Sequence, residues 1–137
     1  SHLLYDSSRG AGASKGLKSN ATAVEGENDN STYGYLSSFE TNGFNVVKGS
    51  TTSASFMNQD NKTMVAWNWK ANGGTTTTND ASSTGIGTID SVFQANTTAG
   101  FSIVTYTGNS TAGATVRHGL TVAPEMIIVK NRTSAQF

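Results

Sequence analysis

The stretch from Gly100 to Lys130 constrains the fold more than any other part of the chain. Phe101, Ile103 and Thr105 alternate with Ser102, Val104 and Tyr106. A period of two in β-branched and aromatic residues is the pattern of a strand in a sheet. Gly108-Asn109 supplies residues that tolerate positive φ, as a hairpin or bulged turn requires. Ala114 to His118 then reads as a returning strand. Pro124 cannot donate to a ladder and belongs just before a strand. Met126-Ile127-Ile128-Val129 is a continuous apolar run, the pattern of a strand covered on both faces.

Composition points the same way. Ser, Thr, Asn and Gly dominate, and their side chains or backbone freedom disfavour helix interiors. The chain therefore reads as all-β with long polar turns. At 137 residues it suits one domain or two small ones. Nine basic residues balance nine acidic ones, and 13% of residues are charged. Nucleic-acid binding needs clustered Lys and Arg, so it is disfavoured. No apolar run approaches the length of a membrane crossing. The absence of cysteine removes disulfides and thiolate metal sites.

Taken in order, His2 to Asp6 reads as a short strand, with Gly16 to Asn20 as a weak second. Both ends stop on strand-like or unclosed segments, which suggests a piece of a longer protein. Thr22 to Thr32 reads as a polar loop. Tyr35 to Glu40 predicts a strand with Tyr35, Ser37 and Phe39 on one face. Phe44 to Lys48 follows the Asn42-Gly43 turn as another.

Lys62 to Lys70 is the next clear strand, with Thr63, Val65, Trp67 and Trp69 sharing a face. Each Trp can bury on the order of 200 Å², at about 25 cal/mol per Å². This strand is the expected core of the N-terminal half. Ala71 to Gly87 loses periodicity and reads as a linker or mobile loop. Thr88 to Ala95 alternates again. The expected division is residues 1–70 as a sandwich portion, 71–87 as the linker, and 88–137 as a hairpin module.

Three pieces of sequence together carry a resemblance. They are Leu4-Tyr5-Asp6-Ser7-Ser8-Arg9-Gly10, Val65-Ala66-Trp67-Asn68-Trp69-Lys70, and the sequence from Tyr106-Thr107-Gly108-Asn109 through His118-Gly119-Leu120 to Met126-Ile127-Ile128-Val129-Lys130-Asn131-Arg132. In this order they resemble tandem β modules of tail-fibre and virion structural proteins of marine bacteriophages. The resemblance implies a concanavalin-like or jelly-roll-type β-sandwich followed by a short hairpin-rich module. It implies a place on the virion surface, tail or capsid, in contact with other copies of itself or with other virion proteins. Appendage proteins commonly have three-fold symmetry, so a trimer is expected by analogy. No catalytic residue comes with the resemblance.

The chemistry-bearing residues are sparse. His2 and His118 are the only histidines, too few for most zinc sites unless carboxylates join them. His118 reads as structural or exposed. No two of the nine carboxylates are singled out as a glycosidase pair. Glu25, Glu27, Asn28, Asp29 and Asn30 are oxygen-rich, but they lack calcium-loop spacing and read as a solvated acidic loop. Gly85-Ile86-Gly87 introduces no helix and reads as a turn. Asn-x-Ser/Thr triplets such as that at Asn20 arise by chance in so Asn- and Thr-rich a chain.

No cofactor or metal is implied, and an enzyme is not expected. Trp67 and Trp69 read first as core. Tyr33 and Tyr35, with Trp69, are the candidate contacts for a glycan or protein partner. A virion structural or adhesion module is the leading reading. A capsid decoration protein or a carbohydrate-binding module for host surface glycans is the alternative.

Overall fold

A computed structural model describes residues 2–27, 30–51 and 56–135. Among these residues it is all-β apart from one helical turn, and seven strands form three small antiparallel sheets. They fall into two compact units, Ser1–Ala66 with Ile128–Phe137, and Trp67–Ile127.

In the first unit, β1 (Leu3–Leu4) pairs antiparallel with β2 (Leu17–Lys18), Leu4 opposite Leu17. β3 (Gly34–Glu40) and β4 (Gly43–Lys48) form a hairpin closed by Thr41 and Asn42. The register slips between Leu36 and Ser38. This bulge interrupts the alternation expected along the strand. Leu36 is buried, while Phe39 at the distal end is exposed. Leu17, Leu36 and Ala23 form the small apolar core, and the Gly12 amide donates to Leu36 O at 2.8 Å to hold the 7–15 loop to β3.

The second unit is a meander of β5 (Thr77–Asn79), β6 (Ser91–Asn96) and β7 (Phe101–Tyr106). β6 is central because it alone pairs on both sides. The turn between β6 and β7 is set by the Ala99 amide donating to Asn96 Oδ1 at 3.0 Å. Residues 71–87, expected as a linker, carry β5 and α1 (Ala81–Thr84). Asp80 caps α1 by accepting from the Ser83 amide, and Gly85 closes it in the left-handed conformation.

Buried polar side chains organise this unit. Asn79 is fully buried and donates to Ile86 O at 2.9 Å, while its Oδ1 accepts from Thr84 Oγ1 and Arg117 Nη1. Gln94 is 1% exposed, and its Oε1 accepts from the amides of Asn72 and Gly74, both at 3.0 Å.

Three expected strands do not form. Ala114 to His118 does not return beside β7. Its one ladder contact is an isolated parallel bridge between Val116 and Ile89, with the amides of Thr88 and Ile89 both donating to Thr115 O. These bonds draw the segment to the start of β6. Lys62 to Lys70 has no regular secondary structure and every residue in it is exposed, so it is not a core strand. Met126 to Val129, expected to be covered on both faces, is between 69% and 77% exposed. The reason is shared by these last two. Period-two apolar patterning suits a strand, but a strand needs a neighbour to take up its backbone groups. Neither run has one among the described residues.

Candidate interaction surface

The expected contact residues lie in different settings. Tyr33 is half-buried and stacks on Phe56, with ring centroids 5.3 Å apart and an interplanar angle of 9°. Lys18, itself buried, places Nζ 5.7 Å from the Phe56 centroid on the same assembly. Tyr33 thus serves packing more than presentation. Tyr35 sits half-buried on β3 opposite Val47. Trp69 is the outward-facing one: it is 62% exposed and stacks on Phe101 at a centroid distance of 6.1 Å.

Trp69 belongs to a longer exposed run. Met64, Val65 and Trp67 are 55%, 70% and 73% exposed, so the core reading of both tryptophans is corrected. Met126, Ile127, Ile128 and Val129 form a second exposed run of strand-forming residues. Large apolar side chains in contiguous exposed runs mark interaction surfaces. Backbone groups without a ladder partner add a template for strand pairing.

Charge in the first unit is gathered around one buried arginine. Asp6 caps a tight turn by accepting from the Arg9 amide at 3.0 Å and from Arg9 Nε at 2.6 Å. The Arg9 side chain is 4% exposed and also donates through Nη1 to Lys15 O at 2.6 Å and Glu25 Oε1 at 2.8 Å. Its Nη2 is buried without a hydrogen-bond partner. Glu25 Oε2 accepts from Arg132 Nε at 2.6 Å, and the Glu25 amide donates to Arg132 O at 3.1 Å.

Glu25 is therefore committed to two arginines and does not belong to a solvated acidic loop. Asn28 and Asp29 of that loop lie outside the described residues. Asn30 spends its oxygens on the amides of Thr32, Tyr33 and Gly34. The Asp6-to-Arg9 spacing was a local signal for the turn. The contact to Arg132 had none.

Among the described residues no three His, Cys, Asp or Glu are grouped to hold a metal ion. No helix among them is long and apolar enough to cross a membrane. His118 is half-buried, and its Nδ1 accepts from the Leu120 amide at 3.1 Å.

Small antiparallel sheets, with two exposed apolar runs that have no ladder partner among the described residues, define the class, an all-β module. The chain belongs to the family described as Domain of unknown function (DUF7483), which matches residues 1–137. No curated protein and no solved structure matches it.

Proposed function

We propose that the chain is a structural and adhesion module of a bacteriophage virion, of the tail-fibre or appendage kind, and acts by assembly rather than catalysis. The observation that carries this reading is the exposure of the two runs, Met64 to Trp69 and Met126 to Val129. Both have the composition of inner strands and neither has a ladder partner among the described residues. Strand addition from a neighbouring copy or module satisfies the backbone and covers the side chains in one step. The small sheets become parts of a β-sandwich of concanavalin-like or jelly-roll type when those strands are added. The resemblance to phage structural modules supports the setting, on the virion surface, and makes a trimer the first stoichiometry to test.

Sedimentation of the chain over a range of concentrations is the measurement. A concentration-dependent oligomer is expected, with amides of residues 63–70 and 126–130 protected from exchange. A monomer at high concentration, with those amides exchanging freely, overturns the proposal.

Exposed Trp67 and Trp69 favour a second reading, in which they form a stacking platform for host surface glycans. Aromatic faces with an apolar body and a polar tip suit pyranose rings. Binding on a glycan array that Trp69→Ala abolishes, from a chain that stays monomeric, selects this reading over assembly.

A further inference from the structure

We propose that the cleft between the 86–88 turn and the 115–121 segment binds an acidic sugar, a carboxylate carried on a hydroxylated ring. The cleft holds about 490 Å³ and is lined by Ile86, Gly87 and residues 115–121. That volume is within the usual range for a small-molecule site, roughly 300–1,000 Å³. The site lies wholly within the second unit and does not depend on strand assembly.

Its walls are fixed by several independent bonds. Thr115 O accepts from the amides of Thr88 and Ile89, and Thr88 Oγ1 accepts from the Thr115 amide at 2.9 Å. Ser91 Oγ donates to Arg117 O at 3.1 Å. Gly119, in the left-handed conformation, packs directly against the Phe93 ring, where a Cβ would collide. The 115–121 segment is thereby held to β6 before any ligand arrives, which lowers the ordering cost of binding.

The chemistry of the lining selects the ligand. Arg117 lies over the Phe93 ring with its guanidinium carbon 5.3 Å from the centroid, and Nη1 donates to Asn79 Oδ1 at 3.2 Å. It has no carboxylate partner among the described residues. A guanidinium held on one side, with donors left over, suits a planar carboxylate. His118 Nδ1 accepts from Leu120 N, so the neutral ring carries its proton on Nε2 and offers a second donor. Thr115 and Thr121 offer hydroxyls that both donate and accept, as ring hydroxyls require. Ile86, Val116 and Leu120 supply apolar surface for a ring face. No acidic side chain lines the cleft to repel an anion.

Titration of the 15N-labelled chain with glucuronate, glucose and inorganic phosphate, followed by amide shifts, tests this. Glucuronate is expected to shift the amides of Gly87 and residues 117–121 saturably, with glucose and phosphate far weaker. Arg117→Lys keeps the charge but loses the fork, and is expected to weaken glucuronate about ten-fold. Thr121→Trp fills the cleft with an indole while leaving Arg117, Asn79 and Phe93 unsubstituted, and is expected to abolish the shifts while β6 and β7 amides stay dispersed. Absence of saturable shifts overturns the proposal. So does equal binding of glucose, equal binding of phosphate, or wild-type affinity in either variant.

Discussion

The Glu25 carboxylate accepts from Arg132 Nε at 2.6 Å across 107 positions of chain. Its other oxygen holds Arg9, whose side chain is almost entirely buried. One carboxylate thus ties the 128–135 segment to the turn that Asp6 and Arg9 build. Lys130 adds a bond from Nζ to Ala21 O at 2.8 Å.

Glu25→Gln leaves the buried Arg9 guanidinium with one carboxylate, Asp6, in place of two. Removing one partner of a buried pair costs about 3–5 kcal/mol. The Arg132 half contributes less, since that side chain is 41% exposed and surface pairs are worth up to about 1 kcal/mol. The expected outcome is a fall in first-unit stability near the lower end of the buried range. Urea titration followed at the amides of Arg9 and Gly26 measures it. Loss below about 1 kcal/mol shows that the cluster contributes as surface pairs do.

The same carboxylate sets a pH dependence. Burial by itself would raise the Glu25 pKa, but hydrogen bonds from Arg132 and Arg9, with their charges, outweigh it and hold the group below its ordinary 4.5. A depressed folded-state pKa contributes stability that is present above the unfolded value and is lost as pH falls through the folded one. First-unit stability is therefore expected to hold as pH falls toward 4.5 and to decline below it. Glu25→Gln is expected to flatten that decline. Identical acid profiles for the two proteins would remove Glu25 as the cause.

Gln94 sits at the centre of the second unit and is fixed by the amides it receives. Gln94→Leu keeps side-chain bulk but leaves the amides of Asn72 and Gly74 without their acceptor. A buried donor left without an acceptor costs about 1–3 kcal/mol, and here Gly74 is half-buried while Asn72 is exposed. A loss of about 1–3 kcal/mol in all is expected, read from thermal unfolding of β6 and β7 amides. Unchanged stability shows that water replaces the side chain there.

The sequence was readable where pairing is local. The β3–β4 hairpin and the β6–β7 pair each join strands separated by a short turn, and alternation with turn residues located both. The β3 bulge was not visible, because Leu36, Ser37 and Ser38 satisfy a regular alternation as well as a slipped one. Residues 71–87 read as a linker because their ordering element is polar: Asn79 replaces apolar packing with bonds to Ile86, Thr84 and Arg117. Hydropathy patterning cannot register such a core. Local composition marks Tyr33 and Tyr35 as contacts, yet the Tyr33 ring is occupied by Phe56. The Glu25–Arg132 pair had no local signal at all.

Trp67 provides the sharpest contrast between pattern and surroundings. Alternation from Thr63 to Trp69 marks one apolar face, and burial of that face predicts a cost of about 3–5 kcal/mol for Trp67→Ala. The indole is instead 73% exposed. An exposed aromatic makes few contacts to lose, so Trp67→Ala is expected to change monomer stability by less than about 0.5 kcal/mol. Its effect should appear in association, because an aromatic anchor in a strand-pairing surface contributes most when covered. Chemical denaturation at low concentration and sedimentation at high concentration separate the two effects. Unchanged stability with weakened self-association supports assembly through this run. A large stability loss at low concentration, with no change in association, places Trp67 in the core of the isolated chain.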